Sequence, residues 1–459
     1  MKLRRRDFLA LSAAGGAGLV AGCVTTGPGR VVSPNSKLQH ACIGTSGMGG
    51  VDLENFKSHP RLEIVAICDV DSNSLAAAAA KLPNARKYTD WRELLAKEGD
   101  RVDSVNASVP DHMHAAITLA AIRAGKHVYC QKPLAHDVAE CRAVAQATKR
   151  AGVVTQLGTQ AASGPGDRMA VQFMRDGLLG KVKRVLLFSN RPGAVEACRL
   201  VGPRPAQGEP PPATLAWDLW IGTAPERPFA PKLYHPFMWR TWQDFGTGWS
   251  GDIGCHIFES VWKGLGLTAP KTVVAEVQES WRDSKERRAD TWPQSEHITW
   301  GFPGSKLTEG KELTLEWLDG GNLPSADVQG LMKSGGIDPA TFEGSLVMGT
   351  EGAMMLPNTS GPILVPKEKF EGLKRPNPKG PSHWHRFADA CLGGEPSNSP
   401  FEKVGPMAEA IILGTVAIRV PGVTLEWDAR KLRIPNCAEA ERLLRRTYRK
   451  GWEVDLRDA

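Results

Sequence analysis

Gln39-His40-Ala41-Cys42-Ile43-Gly44-Thr45-Ser46-Gly47-Met48-Gly49-Gly50 is an apolar strand running straight into a glycine-rich turn. Such a strand, followed by a helix-length segment, is built to end on the phosphates of a dinucleotide, where a helix N-terminus faces the negative charge. In the G-x-G-x-x-G register Gly44 and Gly49 hold the outer positions. Ser46 stands at the middle one, where glycine lets the backbone approach the pyrophosphate; Gly47 and a one-residue shift compensate. Gly44, Ser46, Gly47, Met48 and Gly49 are therefore the candidate phosphate-facing turn. Asp69 ends the next strand twenty residues after Gly49, where an acid accepts from the adenosine ribose hydroxyls. No Arg or Lys lies in Val70–Leu75 to receive a 2′-phosphate, which favours NAD over NADP.

Outward from this turn, short apolar strands alternate with helix-length segments. The strands read as Gln39–Ile43, Leu62–Cys68, Ser104–Ala107, His127–Cys130 and Val153–Leu157. His112–Ala124 and Asp137–Ala151 read as helices stopped by Gly125 and Gly152, the second opened by an Asp137/Glu140 capping pair. This alternation predicts a doubly wound parallel sheet with helices on both faces. From about Val182 the pattern changes to segments of period two: Val182–Leu187, Val273–Glu279, His297–Trp300 and Glu312–Trp317. These predict a mostly antiparallel sheet with one covered face. The fold class is thus α/β: an N-terminal Rossmann sheet followed by an α+β domain with a large open sheet. The boundaries fall at 1–36 (signal and spacer), 37–160 (nucleotide domain) and 161–459 (substrate and oligomerisation domain). Arg199–Ala213 and Gly361–Pro381 read as loops.

Cys130-Gln131-Lys132-Pro133-Leu134 puts a lysine at the carboxyl end of a strand, where such sheets open their ligand crevice. A lysine there can polarise a hydroxyl or carbonyl beside a nicotinamide, and Pro133 fixes the chain direction after it. Oxidising a secondary alcohol also needs a base, and His256 is the candidate because imidazole titrates near neutrality. Asp252, four residues earlier, shares its helical face and can orient the imidazole, raise its proton affinity or hold substrate hydroxyls. The same pair can be read as half a metal site, but no third ligand stands at useful spacing, and no metal is expected. Tyr234, His235, Trp239 and Arg240 offer flat faces and polar groups suited to a sugar, with Trp217 and Trp220 as core or additional faces. His383-Trp384-His385 reads as a loop near the pocket.

The N-terminus predicts the compartment. Arg5-Arg6-Asp7-Phe8-Leu9 before the short apolar stretch to Ala21 is the twin-arginine arrangement of a removable signal that exports folded proteins. Val20-Ala21-Gly22-Cys23 fits a lipoprotein cleavage box, with a lipid on Cys23, and fits equally a simple cut near Ala21; both readings stay open. The formal charge is +7, of which +3 sits in the first seven residues. The remaining +4 is no nucleic-acid footprint. Nine cysteines are scattered without a CxxC pair, and Cys42, Cys68 and Cys130 sit in apolar runs as buried free thiols.

Together the Gly44–Gly50 turn, Asp69, Ser108-Val109-Pro110-Asp111-His112-Met113-His114, Gln131-Lys132-Pro133 and Gly251-Asp252-Ile253-Gly254-Cys255-His256 resemble the glucose–fructose oxidoreductase / inositol dehydrogenase (Gfo/Idh/MocA) family, especially its exported bacterial members. Phe387–Cys391 and Leu425–Asp428 are similar too, so the likeness runs from about residue 38 to 455. Two positions depart from the pattern: Ser46 replaces a glycine, and Gln131 replaces the glutamate of the usual Glu-Lys-Pro. The resemblance implies that Ser108, Pro110, His114 and Gln131 also meet the cofactor. It implies Lys132, Asp252 and His256 as catalytic residues, a homodimer or homotetramer, and terminal segments packed back on the nucleotide domain. The expectation is an exported oxidoreductase that keeps NAD tightly bound and acts on a secondary hydroxyl of a sugar, glycoside or cyclitol. A glycosidase using transient oxidation, elimination and re-reduction is the alternative. A periplasmic sugar- or dinucleotide-binding protein without turnover is the third reading.

Overall fold

The computed structural model describes residues 37–191 and 204–457, together with a two-stranded antiparallel ribbon, Val24–Thr25 against Val31–Val32. The twin-arginine stretch, Cys23, and the Arg199–Pro203 part of the expected loop lie outside the described residues.

The first domain is a six-stranded parallel sheet. In chain order its strands are β1 (Leu38–Ile43), β2 (Leu62–Cys68), β3 (Arg86–Tyr88), β4 (Ser104–Ala107), β5 (His127–Cys130) and β6 (Thr155–Leu157). Their spatial order is β3-β2-β1-β4-β5-β6, the Rossmann arrangement whose strand order reverses between β1 and β4. Helices α1 (Met48–Lys57), α2 (Ser72–Lys81), α3 (Trp91–Glu98), α4 (His114–Arg123) and α5 (Val138–Ala151) connect the strands. The central strands are almost wholly buried, as expected where helices cover both faces. Helix α5 opens on a capping box in which Asp137 accepts from the Glu140 N–H, and it closes on Gly152 in the left-handed conformation. The segment expected to be helical from His112 begins instead as a single tight turn, Asp111–Met113, before α4.

Helix α6 (Pro165–Arg175) leads into the second domain, whose first strand is β7 (Val182–Ser189). Next come α7 (Trp217–Ile221), α8 (Gly248–Leu265), β8 (Thr272–Val277), β9 (Glu296–Pro303), β10 (Glu312–Asp319), β11 (Glu343–Gly349), β12 (Ala353–Pro357) and β13 (Ile363–Val365). Helices α9 (His383–Cys391) and α10 (Phe401–Arg419) and strand β14 (Leu425–Glu426) follow. The sheet order is β13-β12-β11-β7-β10-β9-β8-β14, antiparallel throughout except for β7 beside β10. The loop expected over Gly361–Pro381 therefore contains one short strand, and His383-Trp384-His385 opens a helix rather than lying in a loop.

Two elements join the domains. Helix α10 packs against α5 on one side and against α8 and strands β8 and β9 on the other. The Trp300 indole N–H donates to the Ala410 carbonyl at 2.9 Å. The C-terminal tail crosses back to α5, where fully buried Glu140 accepts from Arg446 at 2.7 Å and from the Tyr448 hydroxyl at 2.9 Å. Removing one partner of a buried pair leaves an uncompensated charge. Arg446→Ala is therefore expected to cost about 3–5 kcal/mol, read as a fall in denaturant midpoint. An unchanged midpoint would show that the tail carries no part of the domain's stability.

Candidate active site

A cleft of about 460 Å3 runs across the carboxyl ends of the parallel strands. One wall is the glycine turn. Gly44 has φ of 85°, and a Cβ on it would stand 2.0 Å from the Ser108 carbonyl oxygen; a Cβ on Gly49 would stand 2.4 Å from the Gly44 oxygen. The turn can press against the end of β4 only because both residues lack a side chain. Ser46, Gly47 and Met48 are exposed and line the cleft, with Gly47 at the N-cap of α1. Asp69 holds the turn: one carboxylate oxygen accepts from both the N–H and the hydroxyl of Thr45, each at 2.9 Å.

Ser108, Pro110, Gln131 and Lys132 line the same cleft from β4 and β5. His114 does not. It is fully buried beneath the surface, and its two ring nitrogens reach the carbonyl oxygens of Pro133 at 2.6 Å and Val109 at 2.8 Å. The expected cofactor contact is thus a staple between the loops after β4 and β5. Burial opposes its charge, yet Cys130 and the two carbonyls hold its pKa above the ordinary histidine value.

Lys132 follows β5 directly, and its bond to Pro133 is cis. Its Nζ lies 2.9 Å from Asp252 Oδ2 and 2.8 Å from the Asp252 carbonyl oxygen. Asp252 Oδ1 accepts from Arg240 Nε at 3.2 Å. Burial works against ionisation of Asp252, but Lys132 and Arg240 outweigh it and hold the carboxyl at about 2. His256 lies one turn further along α8, half-buried. Among the described residues it makes no hydrogen bond to Asp252, whose oxygens serve the two cations. Burial, then the Lys132 ammonium, lower its pKa to about 3. Asp252 does pull the proton affinity up, as expected, but burial and Lys132 outweigh it, and the imidazole is neutral at physiological pH.

The opposite wall comes from the segment before α8. His235, Trp239 and Arg240 line the cleft, with the Arg240 guanidinium 4.2 Å from the Trp239 ring centre and 4.7 Å from that of Phe237. Phe237, within the same segment, is 53 % exposed at the rim and offers a flat apolar face. Tyr234, expected to touch substrate, does not line the cleft. It is 1 % exposed beneath Trp217, Trp242 and Phe245, and its ring is core. Trp220 lines the cleft while stacked on Trp217.

Asp111 was also missed. It is 1 % exposed and lines the cleft; one oxygen accepts from the Thr247 N–H at 3.1 Å and hydroxyl at 2.9 Å, and the other has no hydrogen-bonding partner among the described residues. Burial, then the Asp252 carboxylate, push its carboxyl from 3.8 to about 7, against the pull of Arg240 and Lys132. Between these two values the folded protein keeps a proton that the unfolded chain releases. Its contribution to stability therefore falls as pH rises through that window and levels off above it. Asp111→Asn keeps an acceptor for Thr247 and cannot ionise. Its melting temperature relative to wild type should rise between about pH 5 and about pH 8, and a pH-independent difference would contradict this assignment.

Two successive segments, together a little over half of the chain, each match a known domain. Residues 38–159 match the oxidoreductase family's NAD-binding Rossmann fold, and residues 169–298 match its C-terminal alpha/beta domain. The protein belongs to the Gfo/Idh/MocA oxidoreductase family. It is 32% identical over 198 residues to a glycosyl hydrolase family 109 protein of Solibacter usitatus, covering 39% of this chain and 44% of that one. A levoglucosan dehydrogenase of Pseudarthrobacter phenanthrenivorans is 30% identical over 128 residues (28% of this chain, 32% of that one). The myo-inositol 2-dehydrogenase of Thermotoga maritima is 28% identical over 150 residues (33% and 44%). The chain thus spans less than half the length of these curated relatives. In structure it resembles an NAD-binding protein from Listeria innocua (TM-score 0.57, 16% identity, 85% of this chain and 100% of that one). It also resembles an aldose-aldose oxidoreductase from Caulobacter crescentus (TM-score 0.54, 18% identity, 85% and 100%). These structural likenesses carry the fold.

The residues present fit the dinucleotide that a family member's Rossmann domain binds. The turn is pressed flat by two glycines whose missing Cβ atoms leave the backbone bare, Asp69 stands at the end of β2, and the cleft continues to Lys132. Lys132 and Arg240, the lysine and arginine of the lining, are both tied to Asp252. Lys132 follows β5, three strand positions from the Asp69 end, where a 2′-phosphate would need a cation. Among the described residues no group of three or more His, Cys, Asp or Glu side chains forms a metal site, and no helix is long and apolar enough to cross a membrane.

Proposed function

We propose that the protein is an exported NAD-dependent oxidoreductase that oxidises a secondary hydroxyl of a sugar, glycoside or cyclitol. The observation that carries this reading is the state of Lys132. An ammonium has three donors, and two of them are spent on the Asp252 carboxylate and carbonyl. One remains for a substrate oxygen. Bound NAD supplies the hydride acceptor. Lys132 stabilises the negative charge that builds on the oxygen as the hydroxyl proton leaves to neutral His256, and Asp252 and Arg240 fix the ammonium. The Trp239 and Phe237 faces bind the C–H side of the ring, and Arg240 and His235 serve its hydroxyls. The names of the levoglucosan and inositol dehydrogenases among its relatives support a carbohydrate substrate.

The sequence Arg5-Arg6-Asp7 supports export of the folded protein, which would carry its cofactor with it. Protein exported by its own signal and purified without added nucleotide should then release NAD on denaturation, detected by mass spectrometry. Release of NADP, or of no nucleotide, would contradict tight NAD binding. We infer oligomerisation through the open sheet as part of the same reading.

One observation favours a second reading. His235 lines the cleft, and burial lowers its pKa despite Asp71, leaving a neutral base beside the substrate position. A base there can remove the proton next to a transient ketone, as a redox glycosidase requires. The similarity to a glycosyl hydrolase family 109 protein agrees with it. Aglycone release without lasting reduction of the cofactor would establish this reading in place of the first.

A further inference from the structure

Gln131 stands where the family pattern has a glutamate, and its surroundings supply the reason. Its side-chain Nε2 donates to both oxygens of Asp52, at 3.0 and 2.9 Å. Its Oε1 accepts from the Lys132 backbone N–H at 3.4 Å. Asp52 lies on α1, fully buried, and also accepts from Ser108 Oγ at 2.6 Å and from Trp384 Nε1 at 2.7 Å. One carboxylate therefore joins the helix after the glycine turn, the ends of β4 and β5, and α9 from the second half of the chain. The amide is held from behind as well: a Cβ on Gly158 would stand 2.7 Å from Gln131 Oε1 and 3.0 Å from its Cα. A glutamate at 131 would bring a second carboxylate against Asp52 in a dry site and offer it no donor.

We propose that Asp52 is a positioning residue for Lys132: its carboxylate fixes which way the Gln131 amide faces, and the amide oxygen in turn holds the lysine's backbone N–H. The carboxylate and amide of this pair are interchangeable in place, provided that one faces the other with donor to acceptor. Burial raises the Asp52 carboxyl to about 6, while the donors from Ser108, Gln131 and Trp384 pull it down, so it remains an acceptor at neutral pH. The proposal rests on the reading of Lys132 as the group that meets the substrate.

Asp52→Asn sets an amide against an amide. One oxygen must then serve the donors of Gln131, Trp384 and Ser108 that two served before, so the Gln131 amide is no longer held in one orientation and the acceptor facing the Lys132 N–H loosens. The expected result is about a tenfold fall in kcat with the NADH dissociation constant within about threefold of wild type, and about tenfold faster hydrogen exchange at the Lys132 amide. Gln131→Glu, with two facing carboxylates, should be worse in both readouts. The double variant D52N/Q131E faces an amide to a carboxylate again, and should bring kcat and exchange back to within about threefold of wild type. Should Asp52→Asn fail to fold, Gly158→Ala crowds the same amide without touching the buried carboxylate, and the same fall in kcat and faster exchange are expected. Unchanged kcat and exchange in Asp52→Asn or Gly158→Ala, or a double variant no better than the worse single one, would overturn the proposal. Exchange needs no turnover, so the two readings fail separately. Full activity in Lys132→Met would remove the catalytic reading while the exchange pattern still reported on the Asp52–Gln131 pair.

Discussion

Lys132→Met should lower turnover about 10³-fold while leaving NADH affinity within about threefold of wild type. Methionine keeps the unbranched stem and removes the ammonium, so the substitution deletes charge without opening a large cavity. What disappears is the single donor aimed at the substrate oxygen. Asp252 would keep Arg240 at 3.2 Å, and the buried carboxylate would not be left wholly unpaired. The loss should therefore appear in kcat rather than in melting temperature. Steady-state rates and a fluorescence titration with NADH on the same preparation separate the two effects. Turnover within tenfold of wild type would mean that another group stabilises the developing oxyanion.

Gly44→Ala is the second large effect. The added methyl would meet the Ser108 carbonyl oxygen at 2.0 Å and its carbon at 2.7 Å, both backbone atoms that cannot step aside, on a residue at φ of 85°. Either the turn moves away from β4 or the protein fails to fold. We expect at least about a 100-fold loss of NADH affinity and a clear fall in melting temperature. Gly47→Ala is the matched control. It sits at φ of 53° and ψ of −124° with nothing within 4 Å, so it should cost only backbone strain, about 1–3 kcal/mol, with no clash at β4. Equal effects from the two alanines would show that the close approach at β4 does not shape the cofactor cleft.

The nucleotide domain was largely legible because parallel strands covered on both faces read as continuous apolar runs. β1, β2, β4 and β5 lie within one residue of expectation. β3, Arg86-Lys87-Tyr88, is a short polar edge strand with no such signal. In the second domain β7 to β10 showed their alternation, but glycine and methionine blur it in β11 and β12, and β13 is only three residues long. Lys132 was found from its place at a strand end. Its partner was not, because a four-residue spacing puts Asp252 and His256 on one helical face without saying what that face meets. It meets two cations, and they take the carboxylate from the imidazole. Tyr234 shows the opposite error: an aromatic in a sugar-like segment whose ring turns out to fill the space under Trp217. Asp52 carried a usable clue, since Gly49, Asp52, Leu53 and Phe56 share the buried face of α1 and an acid there needs partners. Asp111 carried none beyond its place beside Pro110, because its proton is held by burial and by Asp252, which lies 141 residues away in sequence.

The central claim is that this cleft moves hydride from a carbohydrate carbon to NAD with Lys132 on the oxygen. It is tested most directly by mixing the protein, with its cofactor, with a panel of sugars, cyclitols and aryl glycosides. Reduced-nicotinamide absorbance and product identity would be followed together, in wild type and in Lys132→Met. A lasting rise in absorbance with a keto-sugar product, absent in the variant, is the predicted result. No absorbance change and no consumption of any substrate in wild type, with the cofactor shown to be bound, would contradict it.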